Sequence, residues 1–144
     1  QLDAWFYYPT YGYAYMSSNG NKGDNNAETS YANSYTNGDI IGVAMDLDNN
    51  KVYVSKNGTW QNSGDPTSGA TGTGAMYSIT DGYDYTFVST TLDSGTDPVH
   101  EWNFGSPSFS ISSGNTDGNG YGNMEFAVPS GYYILNSKNL AEYG

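Results

Sequence analysis

The chain has 144 residues, with four Lys, no Arg and 15 acidic side chains, for a formal net charge of −11 at pH 7. This charge excludes the basic footprint that nucleic acid requires, and no apolar run is long enough to insert into a membrane. The high content of aromatic residues and glycine predicts an all-β chain of short strands and turns, and its length fits a single domain over residues 1–144.

The N-terminal segment, residues 1–16, is rich in aromatic side chains. Tyr11, Tyr13 and Tyr15 alternate with small residues, so a strand here would place the three rings on one face. That face is either part of the core or an exposed platform for a sugar or a partner, because Tyr combines an apolar ring with a polar tip. Residues 17–38 are rich in Asn, Gly and Ser and predict a long loop, which in a compact domain is commonly functional.

Residues 38–60 predict three strands joined by two tight turns. Residues 40–45 and 52–54 are apolar and β-branched, and the Asp-Asn-Asn sequence at 48–50 tolerates turn geometry. Asn57-Gly58 fits a type I′ turn, in which both central residues have positive φ. We therefore predict an antiparallel meander. Its buried face is predicted to include Ile41, Val43, Val52 or Val54.

The rest of the chain predicts further strands separated by polar loops. Loops are expected at 61–76 and 112–123, where Gly, Ser, Asn and Thr dominate. Strands are expected at 85–91, 101–104, 125–128 and 132–135. A helical turn is expected at 139–143.

Few residues offer groups for catalysis or for metal binding. His100 is the single histidine, and no G-x-S-x-G elbow supplies an activated serine. The glutamates are far apart in sequence, which disfavours the paired carboxylates of a glycosidase, although an aspartate pair stays open. Residues 46–50 begin like a calcium loop but lack the Gly and Glu of an EF-hand, and 117–120 is a second cluster of oxygen-bearing residues. We expect no catalytic residues, no cofactor and no metal site, and calcium binding by these acidic loops stays open.

The central segment resembles a SPRY domain, whose usual form is G-D-x-I-G-x-x-x-D-x-D followed by a strand and a K-N-G turn. The matching residues are Gly38, Asp39, Ile41, Gly42, Asp46, Asp48, Ser55, Lys56, Asn57 and Gly58. Asp3-Ala4-Trp5-x-Tyr7 and Asn103-Phe104-Gly105 resemble flanking motifs, although Ser106-Pro107-Ser108-Phe109 replaces the usual Q-x-P-F ending. Pro129-Ser130-Gly131-Tyr132 resembles the closing segment of SPRY domains in bacteriophage structural proteins. The resemblance implies an antiparallel β-sandwich of concanavalin-like shape, here without the first strands expected before Trp5.

The SPRY resemblance implies a non-catalytic recognition module that binds partners through loops. The hypothesis is a virion-surface or extracellular domain, such as part of a tail fibre, whose receptor is a host-surface glycan or protein. Trp5 and Trp102 are expected in the core, and the candidate ligand-binding residues are Tyr31, Tyr35, Trp60 and Tyr121. One alternative is a structural decoration or fibre module, in which other virion or fibre subunits complete an open sheet edge. A glycan-active enzyme is a third, disfavoured alternative.

Overall fold

The computed structural model describes residues 12–90 and 99–144, which belong to two compact units, Gln1–Asp81 and Gly82–Gly144. Strands dominate the regular secondary structure of these residues, and the fold is all-β with two antiparallel sheets. No helix in the described ranges is long and apolar enough to cross a membrane. The expectations for Trp5, Tyr11 and residue 91 lie outside the described residues.

The first sheet is a three-stranded meander of β1 (Tyr13–Tyr15), β2 (Lys22–Asp24) and β3 (Ala27–Thr29). Asn25 and Asn26 form its second turn, with the positive φ values of 42° and 63° that a two-residue hairpin requires. The prediction of a continuous loop over 17–38 is therefore wrong in part. All three residues of β3 are exposed, so this hairpin has no apolar alternation by which to recognise it.

The second sheet is centred on one strand. It contains β4 (Ile41–Asp46), β5 (Lys51–Lys56), β6 (Thr59–Trp60) and β7 (Tyr77–Ser78). Strand β4 pairs along one edge of β5, and β6 and β7 pair with the two ends of its other edge. The predicted meander is confirmed, as is its tight turn, because φ is 49° at Asn57 and 77° at Gly58. The predicted loop at 61–76 contains two 3₁₀ segments and no strand.

The core of the Gln1–Asp81 unit surrounds β5, which is buried on both faces. Tyr53 and Val54 are 0% and 2% exposed, and Val52 is also buried. Ile41 is only half-buried, and Val43 is 44% exposed. The buried face was therefore predicted correctly for β5 but not for Val43, because β4 is an edge strand whose outer part the core does not cover.

The Gly82–Gly144 unit has a different construction from the predicted one. Residues 85–90, 101–104, 125–128 and 132–135 form no strands, so these four predictions are wrong. Regular structure among its described residues consists of an isolated bridge between Asn115 and Met124 and the helix α1 (Ser137–Tyr143). The helix contains the predicted turn and begins two residues earlier, because the Asn136 side chain caps it by accepting a hydrogen bond from the Asn139 amide at 2.8 Å.

Candidate functional site

The four candidate ligand-binding residues belong to different units. Tyr31, Tyr35 and Trp60 lie in the Gln1–Asp81 unit, and Tyr121 lies in the Gly82–Gly144 unit. Each is partly exposed. A single site formed by all four stays a prediction, and each group is described within its own unit.

Tyr31 and Tyr35 are brought together by Tyr15 of β1. The Tyr15 ring centroid lies 5.1 Å from that of Tyr35 and 6.1 Å from that of Tyr31. Tyr35 donates its hydroxyl hydrogen to the Tyr15 carbonyl at 3.1 Å, and Tyr31 donates to the Gly74 carbonyl at 3.0 Å. Burial, with smaller effects from Tyr15 and Tyr53, raises the pKa of Tyr31 to about 12. These rings and hydroxyls make contacts within the unit, so a ligand would meet mainly their exposed edges.

Tyr121 lines a groove of about 280 Å³ in the Gly82–Gly144 unit. We call it the Tyr121 groove. Its lining residues are Phe104, Gly105, Ser106, Gly120, Tyr121, Gly122, Asn136, Ser137 and Lys138. They come from three stretches of sequence and combine aromatic rings, glycine backbone and polar side chains. This groove is the candidate functional site.

Glycine backbone packs directly against Ile134 beneath this groove. Gly105 and Gly122 both have φ of +98°, a value that favours glycine. A Cβ at Gly122 would overlap the Cδ1 of Ile134, and a Cβ at Gly105 would come within 3.1 Å of the Ile134 Cγ2. Ile134 is 7% exposed and is the apolar centre around which these two backbone segments pack. The glycines therefore let two segments approach closely and leave the groove free of further side chains.

A buried carboxylate holds the loop that carries Tyr121. Asp117 is 7% exposed, and its Oδ1 accepts hydrogen bonds from the backbone amides of Asn119 and Tyr121, each at 3.0 Å. Its Oδ2 accepts from the Ile134 amide at 3.0 Å and from the Asn139 Nδ2 at 2.6 Å. Burial alone would raise the pKa of Asp117, but these four hydrogen bonds outweigh it and lower the pKa. Asp117 therefore joins the loop, the chain before α1 and α1 itself.

The Asp117 carboxylate is oriented toward protein donors. It is the acidic member of the 117–120 cluster, and its two oxygens already accept four hydrogen bonds. No group of three or more His, Cys, Asp or Glu in residues 12–90 and 99–144 is arranged to hold a metal ion. The geometry of the 117–120 loop is thus explained by its own hydrogen bonds.

Two charged residues fix the Tyr121 ring. Lys138 places its Nζ 4.1 Å from the ring centroid, a cation–π distance. The Tyr121 hydroxyl donates to the Glu142 Oε2 at 2.5 Å, and this hydrogen bond is the main reason that the pKa of Tyr121 rises to about 12. The hydroxyl stays protonated at neutral pH, so Tyr121 serves as an oriented ring.

Exposed aromatic rings border the groove. Phe104 lines it, and the Trp102 ring stacks on Phe104 with 5.7 Å between centroids and 5° between planes. Phe104 and Trp102 are 42% and 45% exposed, so the prediction that Trp102 lies in the core is wrong. Asn103 supports this arrangement by donating to the Asn123 carbonyl and accepting from the Gly105 amide, both at 2.8 Å. We call Trp102 and Phe104 the aromatic pair.

Sequence reasoning identified Tyr121 but missed the aromatic pair and Lys138. The signal was available, because Trp102 and Phe104 alternate with Asn103 and thus place two rings on the same side of an extended segment. The same alternation is typical of a buried strand, and it was interpreted in that way. Nothing in the sequence indicates that α1 brings Lys138 to Tyr121, since the two residues lie 17 positions apart with no regular pairing between them.

The chemistry of the site is that of stacking and hydrogen bonding. The groove presents rings, a lysine, an asparagine and serine hydroxyls. His100 is exposed and is not among its lining residues.

Comparison of the chain with known protein families, with curated proteins and with solved structures finds no match in any of the three.

Proposed function

We propose that this chain is a non-catalytic recognition module that binds a host-surface glycan in the Tyr121 groove. The observation that carries the proposal is the aromatic pair, two stacked and nearly parallel rings that are partly exposed at the edge of a groove. Aromatic faces stack on the apolar faces of sugar rings, while hydroxyl and amide groups satisfy the sugar hydroxyls. The volume of about 280 Å³ suits one or two sugar residues, at the small end of ligand sites.

The SPRY resemblance supports the biological setting of this proposal. Residues 38–58 carry its central motif, and Asn103, Phe104 and Gly105 carry its late motif. In that setting the chain is a SPRY-like sandwich of the type found in bacteriophage structural proteins, displayed on the virion surface or outside the cell. Phe104 belongs both to the late motif of the SPRY resemblance and to the lining of the Tyr121 groove.

A glycan array followed by direct titration tests this function. We expect the wild-type chain to bind a defined set of glycans, and Trp102→Ala and Phe104→Ala each to weaken binding about tenfold, the loss of roughly 1.4 kcal/mol of stacking. Trp60→Ala is the matched control, because Trp60 is a partly exposed tryptophan in the other unit. Unfolding midpoints of all three variants establish that they are folded. The absence of any glycan ligand, or equal losses in all three variants, would overturn the proposal.

A structural decoration or fibre module is the second candidate. It is favoured by large apolar side chains exposed in the Gly82–Gly144 unit, including Val99 at 85% and Tyr143 at 67%. Large apolar side chains that are exposed in this way can form contacts with another protein. In this case sedimentation would show a stable oligomer, and glycans would not bind.

A further inference from the structure

A second groove, of about 500 Å³, lies in the Gln1–Asp81 unit. We call it the lysine groove. Its lining residues are Lys22, Asp24, Thr29, Lys51, Thr71, Gly72, Ala75, Met76, Tyr77 and Ser78. They belong to the hairpin of β2 and β3, to the start of β5 and to the segment from the second 3₁₀ turn through β7. Its polar character distinguishes it from the Tyr121 groove.

The lysine groove collects two of the four lysines of a strongly acidic chain. Lys22 donates to the Met76 carbonyl at 2.7 Å, and Lys51 donates to the Ser78 Oγ at 2.7 Å. Neither lysine forms an ion pair within residues 12–90 and 99–144. The salt bridge in these ranges joins the Lys56 Nζ to the Asp39 Oδ2 at 3.1 Å. An ammonium group has three donor hydrogens, so each lysine retains donors for a ligand.

Packing against uncharged groups holds both lysines in place. The Lys22 Nζ lies 5.0 Å from the ring centroid of Tyr77. The side chain of Lys51 crosses the backbone at Gly72, where φ is +63° and an added Cβ would lie 2.7 Å from the Lys51 Cε. Because these neighbours carry no charge, the two ammonium groups are positioned without being neutralised.

The lining has the opposite sign of charge from the chain as a whole. Two lysines and one aspartate give it a net charge of +1, against −11 for the chain. Asp24 makes no ion pair with either lysine. The acceptors of the two lysines, at Met76 and Ser78, are two residues apart in the sequence, so both ammonium groups bind the same short segment of the lining.

We propose that the lysine groove binds a carboxylate-bearing sugar, such as a sialic or uronic acid. The two ammonium groups would receive the carboxylate, and the exposed hydroxyls of Thr29, Thr71 and Ser78 would receive the sugar hydroxyls. This site is separate from the Tyr121 groove, with which it shares no lining residue.

Titration of the ¹⁵N-labelled full chain with N-acetylneuraminic acid and glucuronic acid tests this inference. The probes for comparison are N-acetylglucosamine, which is neutral, and acetate, which is a carboxylate without a sugar. We expect saturable amide shifts at residues 71–78 with the two acids, no such shifts with N-acetylglucosamine, and at least tenfold weaker binding of acetate. Equal binding of the neutral sugar would overturn the carboxylate assignment, and equal binding of acetate would overturn the sugar assignment.

Charge-removing variants complete the test. Lys51→Met keeps the alkyl chain that packs on Gly72 and removes the ammonium group, so we expect about tenfold weaker binding of N-acetylneuraminic acid. Lys56→Met is the matched control, because Lys56 lies on the same strand as Lys51 but outside the groove lining, and it should bind this probe as the wild type does. Unchanged binding by Lys51→Met would overturn the proposal. The position of the shifts, at residues 71–78 for this groove and at Gly105 and Gly122 for the Tyr121 groove, separates failure here from failure of the glycan site.

Discussion

The Asp117 Oδ1 accepts a hydrogen bond from the backbone amide of Tyr121 at 3.0 Å, and this bond fixes the loop that lines the candidate site. The other oxygen of the same carboxylate binds Ile134, the residue against which the groove glycines pack. One buried side chain thus supports both the loop and the apolar centre of the groove. Both the stability of the Gly82–Gly144 unit and ligand binding in the Tyr121 groove should therefore depend on Asp117.

Asp117→Asn should lower the free energy of unfolding by about 2–4 kcal/mol. The substitution puts an NH2 group, which donates, in place of a carboxylate oxygen that accepts hydrogen bonds from buried donors. The measurement is equilibrium unfolding in urea. Asp84→Asn is the control, since Asp84 is an exposed aspartate of the same unit. Equal unfolding midpoints for the two variants would show that Asp117 does not anchor the loop.

The contribution of Asp117 should depend on pH. Its pKa is lowered in the folded chain relative to the ordinary value of 3.8, so its stabilisation is fully present above that value and is lost as the pH falls through the folded pKa. The difference in unfolding free energy between the wild type and Asp117→Asn should therefore shrink when the pH is lowered from 7 to below 3.8. A difference that is constant or grows toward acid pH would contradict this linkage.

Gly122→Ala should destabilise the chain more than Gly120→Ala. Both glycines have positive φ, at +98° and +78°, so both substitutions introduce backbone strain of about 1–2 kcal/mol. Only at Gly122 does the new Cβ overlap Ile134, which adds an overpacking cost of about 1–3 kcal/mol, whereas nothing lies within 4 Å at Gly120. Urea unfolding measures the difference. Adding Ile134→Val to Gly122→Ala should recover part of the loss, and equal effects of the two glycine substitutions would exclude the close approach.

Gly58→Val should destabilise the Gln1–Asp81 unit by about 1–3 kcal/mol, because a β-branched residue fits poorly at a φ of 77°. Thr59→Val is the control, since Thr59 is the next residue, is exposed and lies in strand β6. Thermal unfolding compares the two variants. A Gly58→Val chain as stable as Thr59→Val would mean that the turn does not require glycine.

The sequence predicted those parts of the fold whose determining residues are neighbours in the chain. Asn57 and Gly58 are adjacent and set their own turn, so the meander around β5 was predictable from a short window. Asn25 and Asn26 also form a hairpin turn, but their flanking residues are polar and exposed, so no apolar pattern marked the strands. Ile41 was expected to be buried and is only half-buried, so Val54→Ala should cost more stability than Ile41→Ala.

The candidate site was less predictable because distant side chains hold it together. Asp117 binds the backbone of Ile134 and the side chain of Asn139, 17 and 22 positions away, and no periodicity reports such contacts. One segment that looks like a strand, residues 132–135, is bound in this way through its Ile134 amide. The exposure of Trp102 was also not predictable from the sequence. Its alternation with Phe104 predicts that the two rings share a face, but it does not indicate whether that face is buried.

The central claim is that the aromatic pair and the Tyr121 groove bind a glycan. Its most direct test is an NMR titration of the ¹⁵N-labelled chain with the strongest ligand from the array, read at the Trp indole signals and at the groove glycines. We predict saturable shifts of the Trp102 indole and of the Gly105 and Gly122 amides, with the Trp60 indole unchanged. Saturable shifts confined to the Trp60 indole and the amides of Tyr31 and Tyr35, with Trp102 unchanged, would contradict it.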